Sequence, residues 1–270
     1  MTAEETDGLR KLLHVVARLR APDGCPWDQK QTPDSMAPCL LEETYEAIDA
    51  LRKRDDTAAV EELGDVLVNV AMIAQMFRER AVSSLDAIAA LAANKLIRRH
   101  PHVFGSEQGD AEHAAHSGWE ARKREEREAS GDSRGALDGV PIELPALLRA
   151  YRIGQKAARV GFDWPDAKGP REKIDEELRE LETAAARGDR DAIRDELGDV
   201  LFSVCNLARH LGVDPETALR GTVDKFAARF RFVEQDLGPD LTKRSLDDLE
   251  ASWQRAKVRL ASPDGHGPVR

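Results

Sequence analysis

The sequence predicts an all-α protein made of two tandem helical domains, and three observations support this fold class. Aromatic residues make up only 5% of the chain, and the alternating β-branched runs that are typical of strands are scarce. Apolar residues recur instead at helical spacing, as in the stripe from Leu63 to Phe77. The string Glu-Leu-Gly-Asp-Val-Leu occurs at 62–67 and again at 196–201, which indicates an internal duplication.

The duplication and the composition between its two copies predict the domain boundaries. A first helical domain covers residues 1–104, and a linker rich in Gly, Ser, Asp and His covers residues 105–143. We expect one charged helix within this linker, near 119–128. The second helical domain covers residues 144–260, and residues 261–270 are predicted to form a disordered tail.

The strongest functional signal is a set of acids that recurs with one spacing. In each half, two acids at i and i+3 are followed, at the same interval, by a second such pair, so that two antiparallel helices would aim four carboxylates at one point. Clustered carboxylates repel one another unless a cation or protons offset the charge, which predicts a site for a hard divalent ion, Mg²⁺, Mn²⁺ or Ca²⁺. Of these, Mg²⁺ is the expected cofactor, with Mn²⁺ as a possible substitute. The acids are Glu43, Glu46, Glu62 and Asp65 in the first half and Glu177, Glu180, Glu196 and Asp199 in the second.

Two other interpretations of these acids remain open. A single Glu-Glu-x-x-Glu run is typical of a solvated helix face, although a solvated face has no reason to repeat at constant spacing. A carboxylate-bridged di-iron bundle would require Glu-x-x-His pairs. No His lies between Glu42 and Asp65 or between Glu176 and Asp199, which disfavours the di-iron site.

Gly64 and Gly198 interrupt the second acid helix of each half. Glycine inside a helix costs about 1 kcal/mol relative to Ala, so some other interaction must compensate. We expect the missing side chain to let a neighbouring helix or a ligand approach the backbone where the acids converge. A purely steric helix crossing is the alternative.

A pair of cations follows each acid set, Lys95 and Arg99 in the first half and Lys225 and Arg229 in the second. Placed beside an acidic metal site, such cations predict a polyanionic substrate that carries a metal, such as a nucleoside triphosphate. Cations near a helix end also complement the helix dipole, which is the alternative. Pro101 predicts that the first helix ends just after Arg99, whereas its counterpart continues.

In combination, these motifs resemble those of the tandem-domain MazG nucleoside triphosphate pyrophosphohydrolases. The resemblance spans about residues 9–260 and includes Cys25-Pro26-Trp27-Asp28, the run 98–104, Gly161-Phe162-Asp163-Trp164 and the segment 226–234. It implies a helical bundle completed by homodimerisation. It also implies Mg²⁺-dependent hydrolysis of NTPs and dNTPs between the α and β phosphates, giving a monophosphate and pyrophosphate.

Carried onto this sequence, the resemblance places the metal ligands of the better supported, C-terminal repeat at the four acids of the second half. Lys225 and Arg229 then become the residues that contact the phosphates. The first half retains all of its acids, so they give no reason to exclude it as a second site, with Lys95 and Arg99 in the corresponding role.

The mechanism that follows is metal-assisted hydrolysis, in which Mg²⁺ held by the acids neutralises the triphosphate and activates a water for attack on the α-phosphorus. Glu176, or a ligand such as Glu177, is the candidate that orients this water. Trp27 and Trp164 precede the acid helices in loops at equivalent positions. They either stack on a nucleobase or seal the core beneath a loop.

Composition limits the expected partners and location. The net charge of −10 argues against bulk nucleic-acid binding, and no apolar run is long enough for a membrane span. An acidic N-terminus and three cysteines without metal-site spacing fit a cytoplasmic protein. We expect an enzyme of nucleotide-pool housekeeping or of stress-related nucleotide clearance. A non-catalytic, metal-binding helical scaffold for a protein partner is the alternative.

Overall fold

The computed structural model describes residues 3–105 and 135–261, and all regular structure in these ranges is helical. The described ranges contain eleven α-helices, a short 3-10 helix and no strand, which confirms the predicted fold class. None of the described helices combines the length and the apolarity needed to cross a membrane. The chain divides into two units, Met1–Asp132 and Ser133–Arg270. The charged helix expected near 119–128 and the tail beyond 261 lie outside the described residues, and the domain boundaries stay a prediction.

In the first unit, a side chain caps the N-terminus of each of the three longest internal helices. Thr32 accepts the backbone N–H of Ser35, Asp55 accepts that of Ala58 and Ser84 accepts that of Ala87. The helices are α1 Ala3–Leu19, α2 Pro26–Lys30, α3 Pro33–Lys53, α4 Asp56–Glu79, α5 Leu85–Arg99 and α6 Pro101–Phe104. α5 ends at Arg99 and a new helix starts at Pro101, as the sequence predicts, because proline fits the first position of a helix but not its interior.

The second unit also contains capped helices, and it ends in two long helices joined by a short 3-10 helix. Asp189 and Asp214 cap the third and fourth of its helices. The helices are α7 Ala146–Arg159, α8 Lys168–Arg187, α9 Arg190–His210, α10 Pro215–Leu237 and α11 Leu246–Ala261, with the 3-10 helix Leu241–Lys243 between the last two. α10 is uninterrupted, so the predicted contrast with α5 is confirmed.

α3 with α4, and α8 with α9, form two antiparallel hairpins that have the same connection. Arg54 and Gly188 adopt left-handed backbone angles, with φ of 58° and 68°, and end the first helix of each pair. The next residue, Asp55 or Asp189, caps the second helix. Because the connection is so short, the two helices pack side by side and the acid pairs on each face one another.

Each unit has its own small core. In the first unit, Val16, Met36, Ala71, Met72 and Met76 from α1, α3 and α4 form one buried cluster. In the second unit, α7 packs against α9 and α10, and α10 packs against α11. These contacts cover one side of each hairpin and hold it in place.

The part of the apolar stripe that adjoins the glycines is not covered by the described part of the chain, although Ala74, further along α4, is buried. Leu67 on α4 is 51% exposed, and Leu201 on α9 is 47% exposed. A Cβ atom added at Gly64 or Gly198 would meet no described atom within 4 Å outside its own helix turn. The expectation that a neighbouring helix lies against these glycines is therefore wrong for the described part of the chain, and their backbone is open to a ligand or to a second chain.

We expect Gly198→Ala to raise the free energy of unfolding by about 0.5–1 kcal/mol, because Ala is the better helix former and the structure has room for its methyl group. Urea denaturation of the purified protein measures this change. Gly188→Ala is the control, and it should lower stability by about 1–2 kcal/mol because residue 188 has a left-handed backbone. A loss of stability in Gly198→Ala would contradict an open environment at this glycine in the purified protein, because it would mean that the added methyl group meets another part of the chain or a second copy.

Candidate active site

One acid triad lies on each hairpin, with one acid from the first helix and two from the second. Within each triad, one oxygen from every carboxylate lies within 4.8 Å of the others. The triads are Glu43, Glu62 and Asp65 on α3 and α4, and Glu177, Glu196 and Asp199 on α8 and α9. The i, i+3 spacing puts the two acids of α4 or α9 on one face, and the antiparallel partner supplies the third.

The remaining predicted acid of each set, Glu46 or Glu180, lies outside the triad but close enough to act on it. Partial burial, followed by the charge of Glu46, raises the pKa of Glu62. In the same way, partial burial and then the charge of Glu180 raise the pKa of Glu196. The sequence therefore predicted sets of four where the structure brings three carboxylates into direct proximity and leaves the fourth as an electrostatic neighbour.

Partial burial and the neighbouring carboxylates together disfavour the charged form of acids in each triad. Burial and the neighbouring carboxylates also raise the pKa of Glu43 in the first triad. A divalent cation would relieve this repulsion, and the donor set consists of carboxylate oxygens, which suit hard ions such as Mg²⁺ or Mn²⁺. The residues present thus fit a metal of this class.

A lysine that sequence reasoning missed lies at the second triad. Lys173 Nζ lies 2.6 Å from Glu177 Oε1 and 2.9 Å from Glu176 Oε1, and the side chain of Glu177 is only 5% exposed. The two carboxylates raise the pKa of Lys173, and Lys173 in turn lowers the pKa of Glu176. The signal was available in the i, i+4 spacing of Lys173 and Glu177.

The contacts of Lys173 affect which residue is suited to act as the general base. Glu176 is half exposed and lies against Lys173 rather than within the triad. A carboxylate with a lowered pKa is a weaker base, which makes Glu176 less suited to activate a water. Glu177, the other candidate, is a member of the triad and lies within reach of whatever the triad binds.

The predicted phosphate-binding cations lie on helices other than those of the triads. Lys225 and Arg229 are on α10, and the guanidinium of Arg229 lies 5.8 Å from the ring centre of Trp253 on α11. Phe226 packs on the same ring at 5.1 Å. Among the described residues, the cation that directly contacts the second triad is Lys173, and neither Lys225 nor Arg229 forms an ion pair with it.

In the first unit, the corresponding cations Lys95 and Arg99 lie on α5, in its last two turns before the helix ends ahead of Pro101. The structure therefore keeps both cation pairs on a helix outside their hairpin, as the sequence spacing requires. Only the second unit continues this helix beyond the cations.

The two tryptophans are partly accessible, but they lie in different local structures. Trp27 lies in α2 and is 63% exposed, so the prediction of a loop is wrong for this residue. Trp164 precedes α8 and is 40% exposed. Its ring lies so close to the first turn of α8 that a Cβ at Gly169 would come within 2.1 Å of it. Neither ring is buried in a core, which favours the stacking interpretation over the sealing one.

An ion pair fastens the segment that carries Trp164 to the end of α9. Arg209 binds both carboxylate oxygens of Asp163, with its Nη1 2.8 Å from Oδ2, and His210 Nε2 lies 3.1 Å from Oδ1. The same Oδ1 accepts the backbone N–H of Trp164 at 2.9 Å. Arg209 is the main cause that lowers the pKa of Asp163 to about 2.

In the first unit, a different ion pair holds the segment that carries Trp27. Arg20 binds the carboxylate of Glu79 at the end of α4, at 2.7 and 2.9 Å. It also donates to the backbone carbonyls of Asp28 and Gln31, which flank the end of α2. In each unit, an arginine–carboxylate pair thus joins the segment that carries the tryptophan to the helix that carries two triad acids.

A comparison with known protein families matches the two segments of the chain that carry the triads. The MazG nucleotide pyrophosphohydrolase domain matches residues 31–104 and 170–233, which contain the two triads. The chain belongs to the MazG family. Because the match occurs in two segments, the tandem form predicted from the internal duplication is confirmed.

Two individual relatives match the chain nearly end to end, and a third matches about half of it. The chain is 42% identical over 250 residues to the nucleoside triphosphate pyrophosphohydrolase/pyrophosphatase MazG of Thermotoga maritima, covering 92% of this chain and 94% of that protein. It is 42% identical over 253 residues to the nucleoside triphosphate pyrophosphohydrolase of Escherichia coli K12, covering 92% and 96%. A Mycolicibacterium smegmatis protein of the same name is 34% identical over 139 residues, covering 51% and 42%.

We expect Asp163→Asn to lower the free energy of unfolding at pH 7 by about 1.5–3 kcal/mol, because it removes the charge that the half-buried Arg209 needs. The pKa of Asp163 is lowered from 3.8 to about 2. Its contribution is therefore present above about pH 4 and is lost as the pH falls towards 2. Urea denaturation at pH 7 and at pH 3 measures both effects.

Asp23→Asn is the matched control, since Asp23 forms an ion pair with Arg18 in which both side chains are exposed. The control should show little change at either pH. Equal losses in the two variants would contradict a special role for the Asp163 pair.

Proposed function

We propose that this protein hydrolyses nucleoside triphosphates, both NTPs and dNTPs, between the α and β phosphates, releasing a monophosphate and pyrophosphate. As a MazG nucleotide pyrophosphohydrolase, the chain is a hydrolase that acts on acid anhydrides. Membership of this family favours the enzyme over the non-catalytic scaffold. The observation that carries the proposal is the convergence of Glu177, Glu196 and Asp199 within one of the matched segments.

Mg²⁺ is the proposed cofactor, with Mn²⁺ as a substitute, held by the second triad with Glu180 as a further acid nearby. When bound, the ion would neutralise the triphosphate and make a water more acidic. The support is the donor set, three carboxylates within 4.8 Å, and the raised pKa of Glu196, which is caused first by partial burial and then by neighbouring carboxylates whose charge a cation would offset. The first triad is proposed to bind the same class of ion through Glu43, Glu62 and Asp65, with Glu46 nearby.

The protein's own side chains would then bind and orient the nucleotide. Lys225 and Arg229 are proposed to contact the phosphates, and Trp164 to stack on the base. Lys95 and Arg99 would have the phosphate-binding role in the first unit. Stacking tolerates any nucleobase, which fits a substrate class as broad as NTPs and dNTPs.

Glu177 is the proposed residue that holds the attacking water by accepting one of its protons, with Glu176 as the second candidate. Glu177 is favoured because its carboxylate belongs to the triad, whereas Glu176 lies outside it. The water would attack the α-phosphorus and pyrophosphate would leave on the opposite side. This arrangement needs the rigid hairpin, since both the water and the phosphate must be held at fixed positions.

A second copy of the chain is the proposed cover for the exposed apolar stripes. Leu197 and Leu201 on α9 are about half exposed, as are Leu63 and Leu67 on α4. Contiguous apolar surface of this kind is typical of a protein–protein interface. We propose a homodimer in the cytoplasm that acts in nucleotide-pool housekeeping or in stress-related nucleotide clearance, without nucleic-acid or membrane partners.

Product analysis tests the reaction. The purified protein is incubated with each NTP and dNTP in the presence of Mg²⁺, and the products are separated by ion-exchange chromatography. We expect a monophosphate and pyrophosphate from the intact protein, and a loss of about 100-fold or more in Glu196→Ala and Asp199→Ala, since both remove a metal ligand. Diphosphate and phosphate as products would contradict the cleavage position.

Two comparisons locate the chemistry. Glu182→Ala, an exposed acid on α8 outside the triad, is the control for removal of one negative charge from this hairpin. Glu62→Ala tests the first triad, and a loss confined to this variant would move the proposed chemistry to the first unit. Circular dichroism should show unchanged helix content in every variant.

A further inference from the structure

The two triads differ in one cation, and this difference does not follow from the proposed reaction. In the second triad, Lys173 lies one helix turn before Glu177 and contacts it at 2.6 Å. The residue one turn before Glu43 in the first triad is Cys39, which is partly buried against the core of the first unit. The first triad therefore lacks the positive charge that the second has at the corresponding position of its helix.

The Lys173 contact is unlike an ordinary ion pair on a helix surface. Exposed pairs at i, i+4 contribute little, and Lys168 with Glu172 on the same helix is such a pair, at 3.6 Å with both side chains exposed. Glu177 is instead almost fully buried, and a buried carboxylate is costly without a partner. Lys173 also holds a second carboxylate, that of Glu176, so the ammonium is surrounded by negative charge.

Lys173 contacts Oε1 of Glu177, and the carboxylate of Glu177 is one of the three that a divalent ion would use. Two cations cannot both approach one carboxylate oxygen closely without strong repulsion. A divalent ion that enters the second triad is therefore repelled by the Lys173 ammonium on the same carboxylate, and this repulsion favours moving the ammonium away. The displaced ammonium then needs another anion, and its flexible four-carbon stem lets it reach one.

We propose that Lys173 is a built-in counterion of the second triad, so that a divalent ion enters this triad together with a polyphosphate, to which Lys173 transfers its contacts. The inference rests on the proposed function, because a triphosphate is the polyanion that arrives with the metal. Metal alone then binds weakly to the second triad, and metal and nucleotide favour each other's binding. The first triad has no such competitor at this position and binds the metal without the nucleotide.

Metal binding tests this inference without turnover. In a Glu62→Ala background, which removes a ligand of the first triad, Mn²⁺ binding is measured by calorimetry with and without an α,β-methylene triphosphate that cannot be cleaved. We expect Lys173→Met to tighten the binding of Mn²⁺ alone by about tenfold or more, since a competing charge is gone. The gain in Mn²⁺ affinity caused by the analogue should shrink by a similar factor.

Lys168→Met is the matched control, because it removes an exposed lysine from the same helix, and it should change neither quantity. Without metal, Lys173→Met should also melt at a lower temperature than the control. Mn²⁺ should raise the melting temperature of Lys173→Met and so remove this difference. If Lys173→Met does not fold, Lys173→Gln removes the charge while keeping a hydrogen-bond donor, and the same measurements apply.

Unchanged or weaker binding of Mn²⁺ alone in the folded Lys173 variant would overturn the inference, since it would mean that Lys173 organises the triad rather than competing for it. The proposed function fails separately. Tighter Mn²⁺ binding in Lys173→Met, together with no product from any nucleotide in the intact protein, would keep the counterion and reject the hydrolase. Normal turnover in the intact protein, together with unchanged Mn²⁺ affinity in Lys173→Met, would keep the hydrolase and reject the counterion.

Discussion

The arrangement of like charges on two antiparallel helices is the constraint on which the rest of this structure depends. Each hairpin brings three carboxylates within 4.8 Å, and burial together with mutual repulsion raises the pKa of Glu62 and Glu196. Such an arrangement persists only if the helices are held independently of the acids. The two-residue connection with a left-handed residue and an aspartate cap supplies that rigidity, as do the helices packed behind each hairpin. A cation that binds between the carboxylates would offset this repulsion.

The two units share the helical positions of the site acids but differ in the charged residues around them. Both units fasten the segment with the tryptophan through an arginine–carboxylate pair, but one uses Arg20 with Glu79 and the other Arg209 with Asp163. The acids sit at the same helical positions, but among the described residues Lys173 contacts the buried glutamate of the second triad, where the first triad has Cys39 at the corresponding position. Equal carboxylate geometry therefore does not mean equal affinity for a metal, because affinity depends on the charges around the ligands as much as on the ligands.

The exposed side of each hairpin removes one of the two roles that the sequence suggests for the glycines, contact with a neighbouring helix of the described chain, and leaves the other, approach of a ligand. Gly64 and Gly198 have no described neighbour that excludes a side chain, and the leucines next to them are about half exposed. Within one chain, glycine at these positions only weakens its helix. A helix that tolerates this cost beside an apolar surface is consistent with an approach from outside the chain, by substrate or by a second copy.

Local periodicity determined much of this protein from sequence alone. The helical fold, the duplication, the end of α5 ahead of Pro101 and the shared face of Glu62 and Asp65 all follow from spacing along one helix, which the 3.6-residue repeat fixes. Only the tertiary structure decided which carboxylates meet, because that depends on distances between helices rather than along them. Glu46 and Glu180 share a helix face with Glu43 and Glu177 but lie outside the triads, and Lys173 rather than Lys225 contacts the second triad. Burial was decided in the same way: the stripe on α9 is apolar by sequence, but no described element covers Leu201.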